Sequence, residues 1–192
     1  MGKINLLSFL AIVLLLPTLV TSCNKNNDLI GEYVVNKNDT KKILYFEDDD
    51  VDGYHTIKLS LEEDDKATLT ILSKGSIEDD ETGEILNFKY EMECSGKWNI
   101  DRDFKKSEIT NGTMDLVLDD YEINVLELKL DGEVITDEFE EEFLEGILEN
   151  EDEFFEELKD MFGTNLEMLL ITDNGFSLTL EDGDRIRFKR VE

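Results

Sequence analysis

Phe88-Lys89-Tyr90-Glu91-Met92-Glu93-Cys94-Ser95 is the stretch that decides the fold class, because four apolar residues alternate without a break against charged or polar ones. Successive side chains of a strand point to opposite faces, so a period of two marks a strand buried on one side. Cys94 falls on the buried face. Upstream, Ile57, Leu59 and Leu61 alternate with Thr56, Lys58 and Ser60, and Ala67, Leu69 and Ile71 repeat the pattern. Glu63-Asp64-Asp65 between these runs reads as a hairpin loop. Downstream, shorter alternating runs lie at Met114 to Leu118, Leu126 to Leu130, Leu166 to Ile171, Phe176 to Leu180 and Ile186 to Val191. The turn pairs Asp131-Gly132, Asn174-Gly175 and Asp182-Gly183 punctuate them. About eight to ten such strands predict a mainly β protein, an antiparallel meander that closes on itself, since an open sheet of that length leaves unpaired edges.

One segment has a different period. Phe139, Phe143, Ile147, Phe154, Leu158 and Met161/Phe162 recur at helical spacing, with Thr136 as N-cap and Gly163 as C-terminal stop. The spacing predicts an acidic helical segment over about 136–162, bent or broken near Gly146, ahead of the last strands. Asp137 to Asp160 holds 13 acids and one lysine. Its Phe stripe is expected to lie on the sheet and its acids to face solvent.

The N-terminus carries an address. Lys3 precedes an apolar stretch from Ile4 to Val20, and Thr21-Ser22 lead into Cys23. This is the outline of a secretory signal peptide. Val20-Thr21-Ser22-Cys23 resembles the lipobox of bacterial lipoproteins, which implies cleavage after residue 22 and acylation of Cys23. Residues 1–22 are then the signal peptide, 23–28 a lipidated N-terminus with a short polar tether, and 29–192 a single domain. An apolar run of about 17 residues sits at the lower edge of a membrane span, and an uncleaved helix gives no reason for Thr-Ser-Cys where it stands. The expected location is the cell envelope, at the outer membrane, with the membrane reached through the N-terminal lipid.

Charge narrows the partners. The chain has formal net charge −29, and an acidic surface repels phosphate backbones, which argues against nucleic acid. Cations, basic proteins and neutral ligands remain. With Cys23 acylated, Cys94 is the one cysteine left, so the fold rests on its core rather than on a disulfide.

Leu29-Ile30-Gly31-Glu32-Tyr33 opens the domain, Ser95-Gly96-Lys97-Trp98 follows the long alternating run, and Phe188-Lys189-Arg190-Val191 closes it. In that order these motifs resemble the small lipocalin-like, calycin-type lipoproteins of Bacteroidota. The resemblance implies a lipocalin-like β-barrel in which Tyr33 closes the base beneath a basic residue of the last strand, Arg187 or Arg190, in a cation–π contact. It also implies a small apolar or amphipathic ligand.

Chemical motifs are sparse. Asp48, Asp50 and Asp52 with Gly53 make the start of a calcium loop, in which alternate carboxylates converge on a hard cation. Its twelfth position would be Leu59 instead of Glu and no helices flank it, so an acidic hairpin turn is the favoured reading. His55 is the one histidine, which leaves no partner set for zinc. Neither G-x-S-x-G nor H-E-x-x-H occurs, and no cofactor or catalytic residue is assigned. Tyr33, Phe88, Tyr90, Trp98, Phe176 and Phe188 are the candidate lining of an apolar ligand site. Most of them serve equally well as core, and Trp98, just past Gly96, is expected to be partly exposed. These readings converge on a non-enzymatic, lipid-anchored binding module. The alternative is an acidic inhibitor or decoy for basic proteins such as lysozyme or cationic peptides, whose encounter a strong negative charge would speed.

Overall fold

A computed structural model of the chain describes residues 29–43, 52–78, 82–102, 111–135, 152–172 and 174–191. The expected signal peptide and tether over 1–28 with Cys23, together with Asp48, Asp50 and the helical residues expected over 136–151, lie outside the described residues. Nine antiparallel strands form one sheet: β1 (Gly31–Val35), β2 (Asp52–Leu61), β3 (Lys66–Glu78), β4 (Ile85–Arg102), β5 (Asn111–Leu130), β6 (Glu133–Val134), β7 (Leu166–Thr172), β8 (Gly175–Thr179) and β9 (Arg185–Arg190). Helix α1 (Lys37–Ile43) follows β1, and residues 152–161 form a second helix, α2. Among the described residues no helix is long and apolar enough to cross a membrane.

The pairings close a ring of eight strands in the order β1-β2-β3-β4-β5-β7-β8-β9, with β6 appended to β5. The ring is lopsided. Strands β2 to β5 make a tall wall of 10 to 20 residues each, whereas β1, β7, β8 and β9 have five to seven. The lower end holds Leu29, the β2–β3 turn and Trp98. At the upper end the tall wall runs on to the β5–β6 turn, and α1 and α2 stand beside it where the short strands stop.

Alternation dictates the inward face as the sequence predicts. Ile57, Leu59 and Leu61 on β2, Ala67, Leu69 and Ile71 on β3, and Met92 and Cys94 on β4 are all 2% exposed or less. Each fully buried large apolar side chain stabilises the fold by about 1.5–3 kcal/mol, so this layer dominates stability. Phe155 and Leu158 from α2 and Phe162 just after it join the same core, and Phe154 and Met161 pack partly buried against it.

Strand β5 keeps its inward face through two irregularities. Its partners on β4 run Gly96↔Leu118 then Ser95↔Asp120, and Tyr90↔Val125 then Lys89↔Glu127, leaving Asp119 and Leu126 as extra residues. Each slip changes which parity points inward. Leu126 is thereby 49% exposed while Leu128 is 6% exposed.

Trp98 departs from expectation: it is buried, 1% exposed, and its Nε1 donates to the Glu62 carbonyl at 3.1 Å. Gly96 marks close approach instead of exposure, because a Cβ there would lie 2.2 Å from the Val117 carbonyl oxygen. The backbone of β5 moves in over the glycine, and the indole fills the lower core beside it.

Candidate functional site

The lower and middle interior of the ring is filled by its own side chains. Ile57, Leu69, Leu116, Met168 and Phe176 have no accessible surface, so no water-sized space borders them. Tyr33 packs edge-on against Phe176 with ring centroids 4.9 Å apart, and Phe176 stacks on Phe188 at 5.0 Å. Of the expected ligand-lining aromatics, Tyr33, Trp98, Phe176 and Phe188 are therefore core.

At the base, Arg190 lies over the Tyr33 ring with Cζ 5.9 Å from the centroid, and its guanidinium donates to the Ile30 carbonyl. Gly31 makes room, since a Cβ there would meet the Arg190 guanidinium at 2.9 Å. The Tyr33 hydroxyl donates to the Leu29 carbonyl at 2.7 Å.

Arg187 has a different partner. Its Nε and backbone N–H donate to Oδ2 of Asp39 on α1 at 2.8 and 3.2 Å, and its Nη2 donates to Oδ1 at 3.3 Å. Asp39 is 3% exposed. Burial raises its pKa, but the Arg187 hydrogen bonds and charge outweigh this and hold the carboxyl below its ordinary 3.8. Asn36 starts α1 by accepting the Asn38 N–H on its side-chain oxygen at 3.0 Å, the geometry of an N-cap.

The upper end is built differently. Phe88, Tyr90 and Leu128 form a second apolar cluster, with Leu86, Ile123, Val125 and Ile135 packed around it and Ile123 also touching the main core. The Phe88 and Tyr90 rings stack at 6.1 Å. Register sets a polar row beside them: His55↔Ser73 on β2 and β3, then Ser73↔Tyr90 on β3 and β4. The Ser73 hydroxyl lies 3.0 Å from His55 Nδ1 and is almost wholly buried. Burial pushes the His55 imidazole below its ordinary 6.5, so it is neutral at pH 7. Apolar surface with a few placed polar groups is the composition of small-molecule sites.

On the outer face of β4 and β5, Glu93 stands directly across from Glu122, and Ser95 across from Asp120, with Glu91 beside them. Like charges opposite each other in a sheet are destabilising. Asp52 opens β2, but its side chain, like Asp48 and Asp50, lies outside the described positions. Among the described residues no group of three or more His, Cys, Asp or Glu is placed to hold a metal ion.

Two features of these ends are absent from the sequence reading. Asp39 sits in a helix whose signal is short: Asn36 as cap, Asp39 in the first turn and Lys41-Lys42 in the last. The His55–Ser73 pair joins residues 18 apart and exists only through strand register. No family model, curated protein or solved structure matches the chain.

Proposed function

We propose that this chain is a lipid-anchored, non-enzymatic binding module of the cell envelope, tethered through acylated Cys23, with a lipocalin-like barrel and a small apolar or amphipathic ligand. The eight-strand ring, the Tyr33–Arg190 contact at its base and the order of the quoted motifs support the barrel reading. The observation that carries the binding reading is the second Phe88–Tyr90–Leu128 cluster beside His55 and Ser73, at the end remote from the tether. The filled lower interior is the reason this reading puts the ligand at the upper cluster and not in the depth of the ring. Native mass spectrometry of the mature protein, extracted gently from its own envelope, tests this. A co-purifying small molecule, lost in Phe88→Ser and retained in a surface variant such as Lys129→Gln, is the expected result; an empty wild-type protein overturns it.

One observation favours a second reading, capture of basic proteins such as lysozyme. The Glu93–Glu122 pair sets like charges opposite each other on the outer face, an arrangement that opposes folding and that suits a cationic partner. Under this reading lysozyme binds in low salt, is released as ionic strength rises, and binds several-fold more weakly to a Glu93→Gln, Glu122→Gln double variant. Binding that ignores both salt and these substitutions removes the second reading.

A further inference from the structure

One row of the upper end sets a group that ionises in mild acid among apolar side chains. Across β2 to β5 the register runs His55↔Ser73↔Tyr90↔Val125, and the next row up ends in Phe88↔Leu128. On β2 the residue below His55 on the same face is Ile57, which has no accessible surface. The half-buried imidazole thus stands between the filled core and the second cluster. Its Nδ1 lies 3.0 Å from the Ser73 hydroxyl, itself only 1% exposed.

The charged groups around this row are turned away from it or already engaged. Tyr90 is the other titratable side chain of the row. Lys58 and Lys74 have the opposite parity on β2 and β3 and lie on the outer face. On α1, which packs on β2, Asp39 is clasped by Arg187, Lys42 donates to the Arg185 carbonyl, and Lys37 and Lys41 are exposed. Burial holds the imidazole below its ordinary value.

A proton added to this ring places a charge in the apolar row and makes Nδ1 a donor. If the neutral ring carries its hydrogen on Nε2, the Ser73 hydroxyl donates to Nδ1, and protonation forces Ser73 to accept and to turn its own hydrogen into the apolar layer. If the hydrogen is on Nδ1, Ser73 already accepts and the charge acts alone. An apolar ligand laid on the cluster strips water from the half-buried imidazole and so favours the neutral ring. By linkage, proton and ligand then weaken each other by the same factor.

We propose that His55 makes the upper site acid-released, an inference that rests on the binding reading above: the neutral imidazole admits an apolar ligand, and its protonation expels it. The probe is N-phenyl-1-naphthylamine, an uncharged apolar fluorophore that does not ionise in mild acid, titrated into the mature protein from about pH 7.5 down to about pH 5. Its affinity is expected to fall about fivefold or more over that interval in the wild type, and to stay level in His55→Gln. Because His55 is the one histidine of the chain, its imidazole signal in NMR gives a second measurement that needs no variant. Saturating probe is expected to move the midpoint of that signal to lower pH. An affinity that ignores pH, an equal fall in His55→Gln, or a midpoint that the probe leaves in place overturns the proposal. Failure of the switch and failure of the site are told apart. Probe binding that is lost in Phe88→Ser but ignores pH keeps the site and removes the switch, whereas a probe that does not bind at about pH 7.5 removes both.

Discussion

The two ends of the ring are made from the same four tall strands yet differ in what completes them. At the lower end the inward residues fill the ring: Trp98 is buried where β5 closes over Gly96, Tyr33 packs edge-on against Phe176, Phe176 stacks on Phe188, and Arg190 lies over the Tyr33 ring. At the upper end β2 to β5 outrun their short counterparts, and Phe88, Tyr90 and Leu128 form a cluster of their own with a histidine and a serine in the same layer. Strand length, more than composition, separates the main core from the second cluster.

The sharpest way to break this comparison is to truncate one large side chain at each end. Trp98→Ala removes the largest fully buried side chain together with its bond to Glu62, and is expected to cost about 3–5 kcal/mol in urea unfolding. Phe88→Ala in the smaller cluster is expected to cost about 2 kcal/mol, because its site retains some exposure and collapses more easily. Equal losses would mean that the two clusters behave as one core.

Acid sharpens the contrast further. His55 at the upper end has a depressed folded pKa, so its contribution to stability is complete above its unfolded value of about 6.5 and is lost as pH falls through the lower folded value. Asp39, which clasps α1 to β9, is also depressed, so its contribution is complete above about 4 and disappears only at still lower pH. Amide protection around β2 and β3 near His55, taken relative to the intrinsic exchange rate at each pH, is therefore expected to fall in mild acid before protection around α1 does. His55→Gln should remove the first step alone, and Asp39→Asn the second. Simultaneous loosening of both regions in the wild type would contradict this ordering.

Much of the architecture was legible in the sequence. Strands β2, β3 and β4 alternate without interruption, and their inward residues are those that periodicity selects. Strand β5 was legible only in pieces, because its inward residues read 114, 116 and 118, then 121, 123 and 125, then 128, with a one-residue slip at each break. A strict period of two splits such a strand and leaves the middle unread. Helix α1 has only seven residues, too few for a helical period to stand out. Of the upper site, Phe88 and Tyr90 were visible as alternation, whereas His55 and Ser73 become partners only once β2 and β3 are in register. Trp98 misled because a glycine two residues earlier has two meanings, and local sequence does not distinguish an open edge from a backbone pressed close.

The closure of the ring has one more consequence. Strand β5 runs along β4 from Leu86↔Leu130 to Arg102↔Gly112, but it meets β7 only from Asn111↔Leu169 to Met114↔Leu166. Just beyond that short ladder, the Leu116 N–H donates to the Gly163 carbonyl at 2.8 Å and the Asn165 N–H to the Asp115 side chain at 2.8 Å. Mechanically the ring is a clasp rather than a hoop: two short ladders close it, four pairs between β5 and β7 and three between β1 and β9, each extended by two hydrogen bonds. Pulled on, or breathing thermally, it should part at one of these two ladders while the tall wall stays whole.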